Sequence, residues 1–232
     1  MVSRAVERFA SDCVLVVGGA RAILLQVADP VVAAGVARHS DFAHRPVERL
    51  RNTLTFAYAV VLGTPSDASA VVRHVGRAHA PVSRADEAER QLWVAATLYD
   101  TAALVHEVVY GELAKEVATE ALREYSRLGT SLDMPLSLWP ATPADFDAYF
   151  VKRVSGLTVG ADARQIAHDL FSPTTAPSWL RAGIPLARLL TIDLLPASVR
   201  RAYGFRFGPL RRWQARQAWR VIRLVAYLLP AR

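Results

Sequence analysis

Six histidines, at positions 39, 44, 74, 79, 106 and 168, are the side chains of this sequence best suited to holding a metal or moving a proton. A helical pair that shares one ion sits three or four residues apart. His39/His44 and His74/His79 are five apart and would diverge by about 140° around a helix. No Glu-x-x-His occurs, so the carboxylate di-iron site of helical bundles lacks its ligand pattern. The chain also has no Gly-x-Ser-x-Gly elbow to anchor hydrolase chemistry. Gly18-Gly19 follows the apolar Val16-Val17, but the third glycine of a dinucleotide fingerprint is missing and no parallel-sheet pattern follows. Two glycines that let successive helices turn and approach closely are the better reading.

His79 stands apart from the other five. On a helical wheel it falls between Val72 and Val75, inside an apolar face and near the end of a helix opened by Thr64-Pro65-Ser66-Asp67. A histidine in that setting is either a core residue whose ring nitrogens meet backbone partners or a single axial ligand. Haem iron needs one proximal imidazole, an apolar slot for the porphyrin, and cationic or hydroxyl groups for two propionates. Arg49 and Thr53 could supply the last of these. They lie four apart at the border of the preceding helix's apolar stripe, where both can reach one group at a pocket edge. The alternative is an arginine reaching to solvent and a threonine bonded to its own helix.

Helical periodicity dominates the elements that would position these residues. Val47, Leu50, Leu54, Ala57 and Val61 recur at helical spacing between Pro46 and Gly63. Val71, Val75 and Ala78 give the next helix its stripe before Ala80-Pro81 ends it. Further helices are predicted over 86–111, 113–128, from the capped start at Thr142-Pro143-Ala144-Asp145, over 161–170, 176–190 with a break at Pro185, 196–203 and 209–229. Only Cys13 to Val17 could pass for a buried strand. The expectation is an all-α, multi-helix, single-domain protein of about ten helices.

The order Gly18-Gly19-x-Arg21-Ala22, Leu24-Leu25-Gln26, Asp29-Pro30, Ala34-Gly35-Val36-Ala37, His39-Ser40-x-Phe42, Pro46-x-x-Arg49-x-x-x-Thr53, Gly63, His79 and Leu92-Trp93-Val94-Ala95-Ala96-Thr97-Leu98 resembles the MpaB oxygenase and latex-clearing-protein (rubber oxygenase) family. Leu194-Leu195-Pro196 and Arg200-Arg201-x-Tyr203-Gly204 resemble its C-terminal region, so nearly the whole chain is covered. The resemblance implies a globin-like all-α domain that holds haem b (iron protoporphyrin IX) over residues 1–208, with oxygenase activity. His79 would be the proximal iron ligand, and Arg49 and Thr53 would correspond to the family's Arg-x-x-x-Thr, which holds the cofactor. The implied substrate is a hydrophobic alkene, of prenyl or polyketide-like character, oxidised with O2; the electron donor is unassigned. His106, on the apolar face of the long helix, is one candidate for a distal acid or base and equally a candidate core residue. Rubber-cleaving members resemble one another in a glutamate upstream of Arg-x-x-x-Thr, whereas no Glu lies between Arg8 and Val47 here. Some of them place a lysine beside the threonine, where this chain has Asn52, and many relatives have histidine at the position of Ala95. Polyisoprene cleavage is therefore not expected.

The 232 residues are 52% apolar and 21% charged, which excludes disorder for most of the chain. Its one cysteine, Cys13, rules out a disulfide framework within the chain and fits a reducing, cytoplasmic setting. The longest charge-free run, 52–66, is too short for a membrane span, which needs about 18 apolar residues. The net charge of +7 belongs to one end: nine arginines and no acid follow position 199. That asymmetry singles out residues 209–232 as a basic amphipathic helix, packed on the same domain with a solvated arginine face. An alternative function follows from it, a non-catalytic helical module that binds acidic membrane surfaces through this helix. Nucleic acid is not expected as a partner, since no helix-turn-helix spacing or aromatic strand accompanies the arginines.

Overall fold

The computed structural model describes residues 3–11, 17–39, 55, 57, 59–61, 84–173 and 178–228. Its helices are α1 (Arg4–Ser11), α2 (Gly19–Val27), α3 (Pro30–His39), α4 (Arg84–Tyr110), α5 (Lys115–Thr130), α6 (Pro143–Ser155), α7 (Ala161–Phe171), α8 (Ser178–Leu194), α9 (Ala197–Ala202) and α10 (Pro209–Leu228), with a 3-10 turn at Leu136–Leu138. No strand occurs among the described residues, and the all-α expectation is borne out. Cys13 to Val16 lie outside the described residues; Val17 and Gly18 form a 3-10 turn.

α4 is the axis of the bundle. It packs against α2, α5 and α10, and its residues Trp93, Ala96, Thr97 and Val105 are fully or almost fully buried. By length and composition, Ala88–Tyr110 is apolar enough to cross a membrane, and α2 and α3, bent by 106°, pass the same test together. The charge-free-run criterion overlooked α4. Its apolarity has a local cause, because neighbouring helices cover it on several sides and more than half of that stretch is buried inside the fold.

The main core continues through an aromatic cluster at the α4–α5–α6 junction. The ring of Tyr99 meets Phe146 edge-on at 4.7 Å and Tyr125 at 5.6 Å, while Phe150 stacks on Trp93 at 5.6 Å. Two polar handles are satisfied by backbone carbonyls: Tyr99 Oη donates to Ala118 O (3.2 Å) and Trp139 Nε1 to Leu122 O (2.9 Å). A smaller core of Val105, Val109, Leu190, Leu194 and Trp219 joins α4, α8 and α10. The described positions between 55 and 61 are helical, as the stripe predicted, and Val60 and Val61 are buried in the main core.

Element ends follow their chemistry. Thr142 Oγ1 accepts from the Asp145 amide (3.2 Å) ahead of Pro143, the expected capped start of α6. Gly111, at φ +95°, ends α4. Two sequence expectations are corrected. Pro185 does not end α8, which continues to Leu194 and stops before Pro196; residues 181–183 and 185–188 are exposed, so a carbonyl freed by the proline can be hydrated. Gly129 does not stop α5 either, because the left-handed residue there is Asp133 (φ 70°). Its missing side chain instead leaves room for Met134, whose Sδ would stand 2.6 Å from an added Cβ.

Gly18 meets a harder surface. A Cβ there would lie 2.5 Å from Thr101 Cγ2 and 2.9 Å from Val105 Cγ2, both on stiff β-branched side chains of α4. Gly18→Ala is expected to lower stability by about 1–3 kcal/mol, whereas Gly129→Ala should be near neutral because the Met134 thioether can swing away; chemical denaturation of both variants checks this contrast. Alkaline titration gives a second check. Burial pushes the Tyr99 and Tyr149 hydroxyls up to about 12. The unfolded chain ionises near 10, so the folded state keeps these protons longer and stability should fall as pH rises from about 10 towards 12. Absorbance of tyrosinate against pH, beside the unfolding midpoint, would show it.

Candidate functional site

Many of the residues that stood out in the sequence order converge on α2. Arg21, a charge within the apolar run Gly19–Val27, is buried against α4 and the end of α8. Its Nε donates to Leu194 O (2.8 Å), Nη1 to Thr101 Oγ1 (2.6 Å), and Nη2 stands 2.6 Å from Asp100 Oδ2. Although part of the Asp100 side chain reaches the surface, Oδ2 itself is sealed from solvent and stands in a close ion pair with Arg21. Burial raises the Asp100 carboxyl above its ordinary value, and the Arg21 charge and hydrogen bonding pull it back.

Further along α2, Trp93 Nε1 donates to Leu25 O (3.2 Å), Gln26 Nε2 to Thr97 Oγ1 (3.0 Å), and Tyr203 Oη to Leu24 O (2.7 Å). Burial lifts the Tyr203 hydroxyl well above its usual range, so it stays a donor at physiological pH. Asp29 then starts α3: its Oδ1 accepts from the Val31 and Val32 amides (2.9 and 3.2 Å), while Oδ2 pairs with Arg153, whose guanidinium lies 5.4 Å from the Trp93 ring centroid. This network holds α2 against α4, α6 and the segment after α8. Its donors are largely committed to structure, which makes it scaffolding for a site rather than reacting groups.

The cofactor residues expected from sequence, Arg49, Thr53 and His79, lie outside the described residues, as do His44 and His74. Of the stretch that follows Thr53 in sequence, the structure describes the buried pair Val60 and Val61, with Ala57 packed on the same core and Thr55 exposed. His106 is described. It is half-buried on α4 between Phe9 (ring centroids 5.5 Å) and Tyr110 (5.1 Å), and Tyr110 in turn meets Tyr227 of α10 at 6.0 Å. Edge-on and tilted ring contacts of this kind orient the imidazole. Among the described residues no three His, Cys, Asp or Glu side chains converge on a position for a metal ion.

Sequence reasoning missed the roles of Asp100 and Tyr203. The signal for the first was present, since a lone arginine in an apolar helix requires a buried acidic partner. Nothing local marked Tyr203 as the donor that closes α2.

Comparison with known proteins places these features in context. A family model described as ER-bound oxygenase mpaB/B'/Rubber oxygenase, catalytic domain, matches residues 7–227. The chain is 30% identical over 224 residues to an uncharacterized protein of Mycobacterium bovis, Mb2261, covering 90% of this chain and 88% of that one. It is equally similar, with the same coverage, to the uncharacterized protein Rv2237 of Mycobacterium tuberculosis. No solved structure matches significantly.

The buried pair yields a prediction. Arg21→Met strands the Asp100 carboxylate and the Leu194 carbonyl and should cost about 3–5 kcal/mol. Adding Asp100→Leu should recover part of the loss, and a double-mutant cycle by urea denaturation measures the coupling.

Proposed function

Because the chain belongs to the mpaB/B' and rubber oxygenase catalytic-domain family, we propose that it is a cytoplasmic, haem b-dependent oxygenase acting on a hydrophobic alkene. Family membership makes it an oxygenase-type enzyme, with a small-molecule substrate and O2. The match over residues 7–227 is the observation that carries the proposal, and it favours an enzyme over a non-catalytic helical module.

The residue chemistry supports a porphyrin as cofactor. A porphyrin supplies four of iron's ligands itself, so one imidazole suffices to hold it. His79 is the residue assigned to that role, and an apolar helical face lowers competition from water at the ligating nitrogen. Arg49 would pair with a propionate and Thr53 would donate a hydrogen bond to it. Val60 and Val61 support this arrangement, because the stretch that follows Thr53 is anchored in the main core. The bound haem would supply the iron at which O2 is activated. The protein's own contribution is to exclude water with an apolar pocket, orient the alkene, and hold a proton at a ring nitrogen of His106. The absence of an upstream glutamate and of a lysine at Asn52 argues against polyisoprene cleavage.

Purified protein supplied with haem should show a Soret band. His79→Ala should abolish it or shift it, with recovery on adding imidazole. Arg49→Ala should keep the ligand set but weaken haem retention about tenfold or more, the worth of one charge-assisted hydrogen bond. His106→Ala should leave the spectrum intact and reduce O2 uptake with a prenyl alkene. A chain that takes up no haem refutes the proposal.

A further inference from the structure

α10 has three faces, and only two of them are explained by the fold. Its inner face, Ala215, Ala218, Trp219, Ile222 and Ala226, packs on α4 and α8. That contact is fixed by hydrogen bonds from Trp219 Nε1 to Asp193 Oδ2 (2.9 Å) and from Arg223 Nε to Val108 O (2.7 Å), the latter a cation at the carbonyl end of α4. A second face carries Arg212, Arg216, Arg220 and Arg223. The third consists of Leu210, Trp213, Val221, Leu224, Val225 and Leu228, which at 100° per residue fall within an arc of about 120° on the side away from the packed residues. All six are exposed, from 48% at Val225 to 74% at Leu228. With Tyr227, α10 holds seven of the twelve large hydrophobic residues that stand exposed among those described. So strong a concentration in one 20-residue helix needs a partner.

We propose that α10 is an interfacial anchor, which lays this outer stripe into the acyl boundary of a membrane bearing anionic lipids. Charge complementarity selects the occupant. α10 contains no acidic residue, and Asp193, which its Trp219 touches, is bound by that contact. A stripe of leucine, valine and tryptophan beside a row of arginines matches the two layers of a lipid surface, hydrocarbon beneath phosphate. Arginines every three or four residues keep the helix from spanning, so it lies in the plane, about 30 Å long. Nucleic acid would use the arginines and leave the stripe in water; a second copy would use the stripe and crowd the arginines together.

The full-length protein is sedimented with phosphatidylcholine vesicles that contain or lack about a third phosphatidylserine. Binding should require the anionic lipid and weaken at high salt. Trp213→Ser with Leu224→Gln should lower vesicle affinity at least about tenfold, and Arg216→Gln with Arg220→Gln several-fold. Because all four residues are exposed, the melting transition should not move, which separates lost docking from lost folding. The proposal is overturned if vesicles are ignored, if both double variants bind like the parent, if the protein prefers duplex DNA, or if the stripe instead closes a dimer that Leu224→Gln dissolves. Haem content does not enter the measurement, so this result and that for the oxygenase reading stand separately.

Discussion

A guanidinium buried in an apolar bundle is the constraint around which this structure is arranged. Arg21 cannot leave water without losing its hydration, and in return the fold must bring it several acceptors at once. It does so from two distant parts of the chain, Asp100 and Thr101 in the middle of α4 and the last carbonyl of α8. Each acceptor is far away in sequence, so satisfying one charge fixes the mutual position of three helices. Gly18, one turn earlier, allows α2 to begin hard against Thr101 and Val105. The close approach and the ion pair are therefore parts of one arrangement, since an extra methyl group at Gly18 would push away the same α4 turn from which Arg21 takes Thr101.

Other residues that made the sequence recognisable have the same explanation. Asp29 stands before Pro30 because a carboxylate there caps α3, and its second oxygen ties that cap to Arg153. Trp93 is placed to stack on Phe150 and also to donate to α2. Gly204 takes φ +74° so that the chain can turn after α9, with the Phe205 amide returning to Arg200 O (3.0 Å), while Tyr203 reaches back to α2. A strong ordered pattern of this kind reports a shared scaffold first. The residues proposed to hold a cofactor, Arg49, Thr53 and His79, are far fewer than these scaffold positions and lie outside the described residues.

Helix existence was legible in the sequence because a 3.6-residue period survives in most of these segments: the capped start at Thr142 and the stop at Gly111 were readable as local chemistry. Boundaries failed where tertiary context overrode a local rule. Pro185 is accommodated inside α8, where the carbonyl that it frees stands among exposed residues. Gly129 reads as a terminator until Met134 is seen to occupy the space it leaves. Counting charge-free residues did not reveal how apolar α4 is, because a covered helix can be long and apolar with only a few charges in it. For the candidate site, histidine on an apolar face was the readable part. The contact of His106 with Phe9 was not, since Phe9 comes from α1, far away in sequence.

α10 shows most clearly what periodicity alone conceals. Its arginines are obvious, and so is an apolar remainder, which on a wheel invites division into one wet and one buried side. The structure divides the apolar remainder again. Trp219 and Ile222 serve the core, whereas Trp213 and Leu224 do not, although both pairs are apolar and lie within one helix. Composition cannot separate them, because burial is decided by where α4 and α8 happen to lie. The inner half of α10 rests on Val105 and Val109, the residues of α4 that surround His106 on either side in sequence. The helix that bears the outer stripe is therefore packed directly on the α4 segment that contains His106. For an oxygenase whose substrate partitions into lipid, that arrangement would set the enzyme on the phase in which its substrate is concentrated.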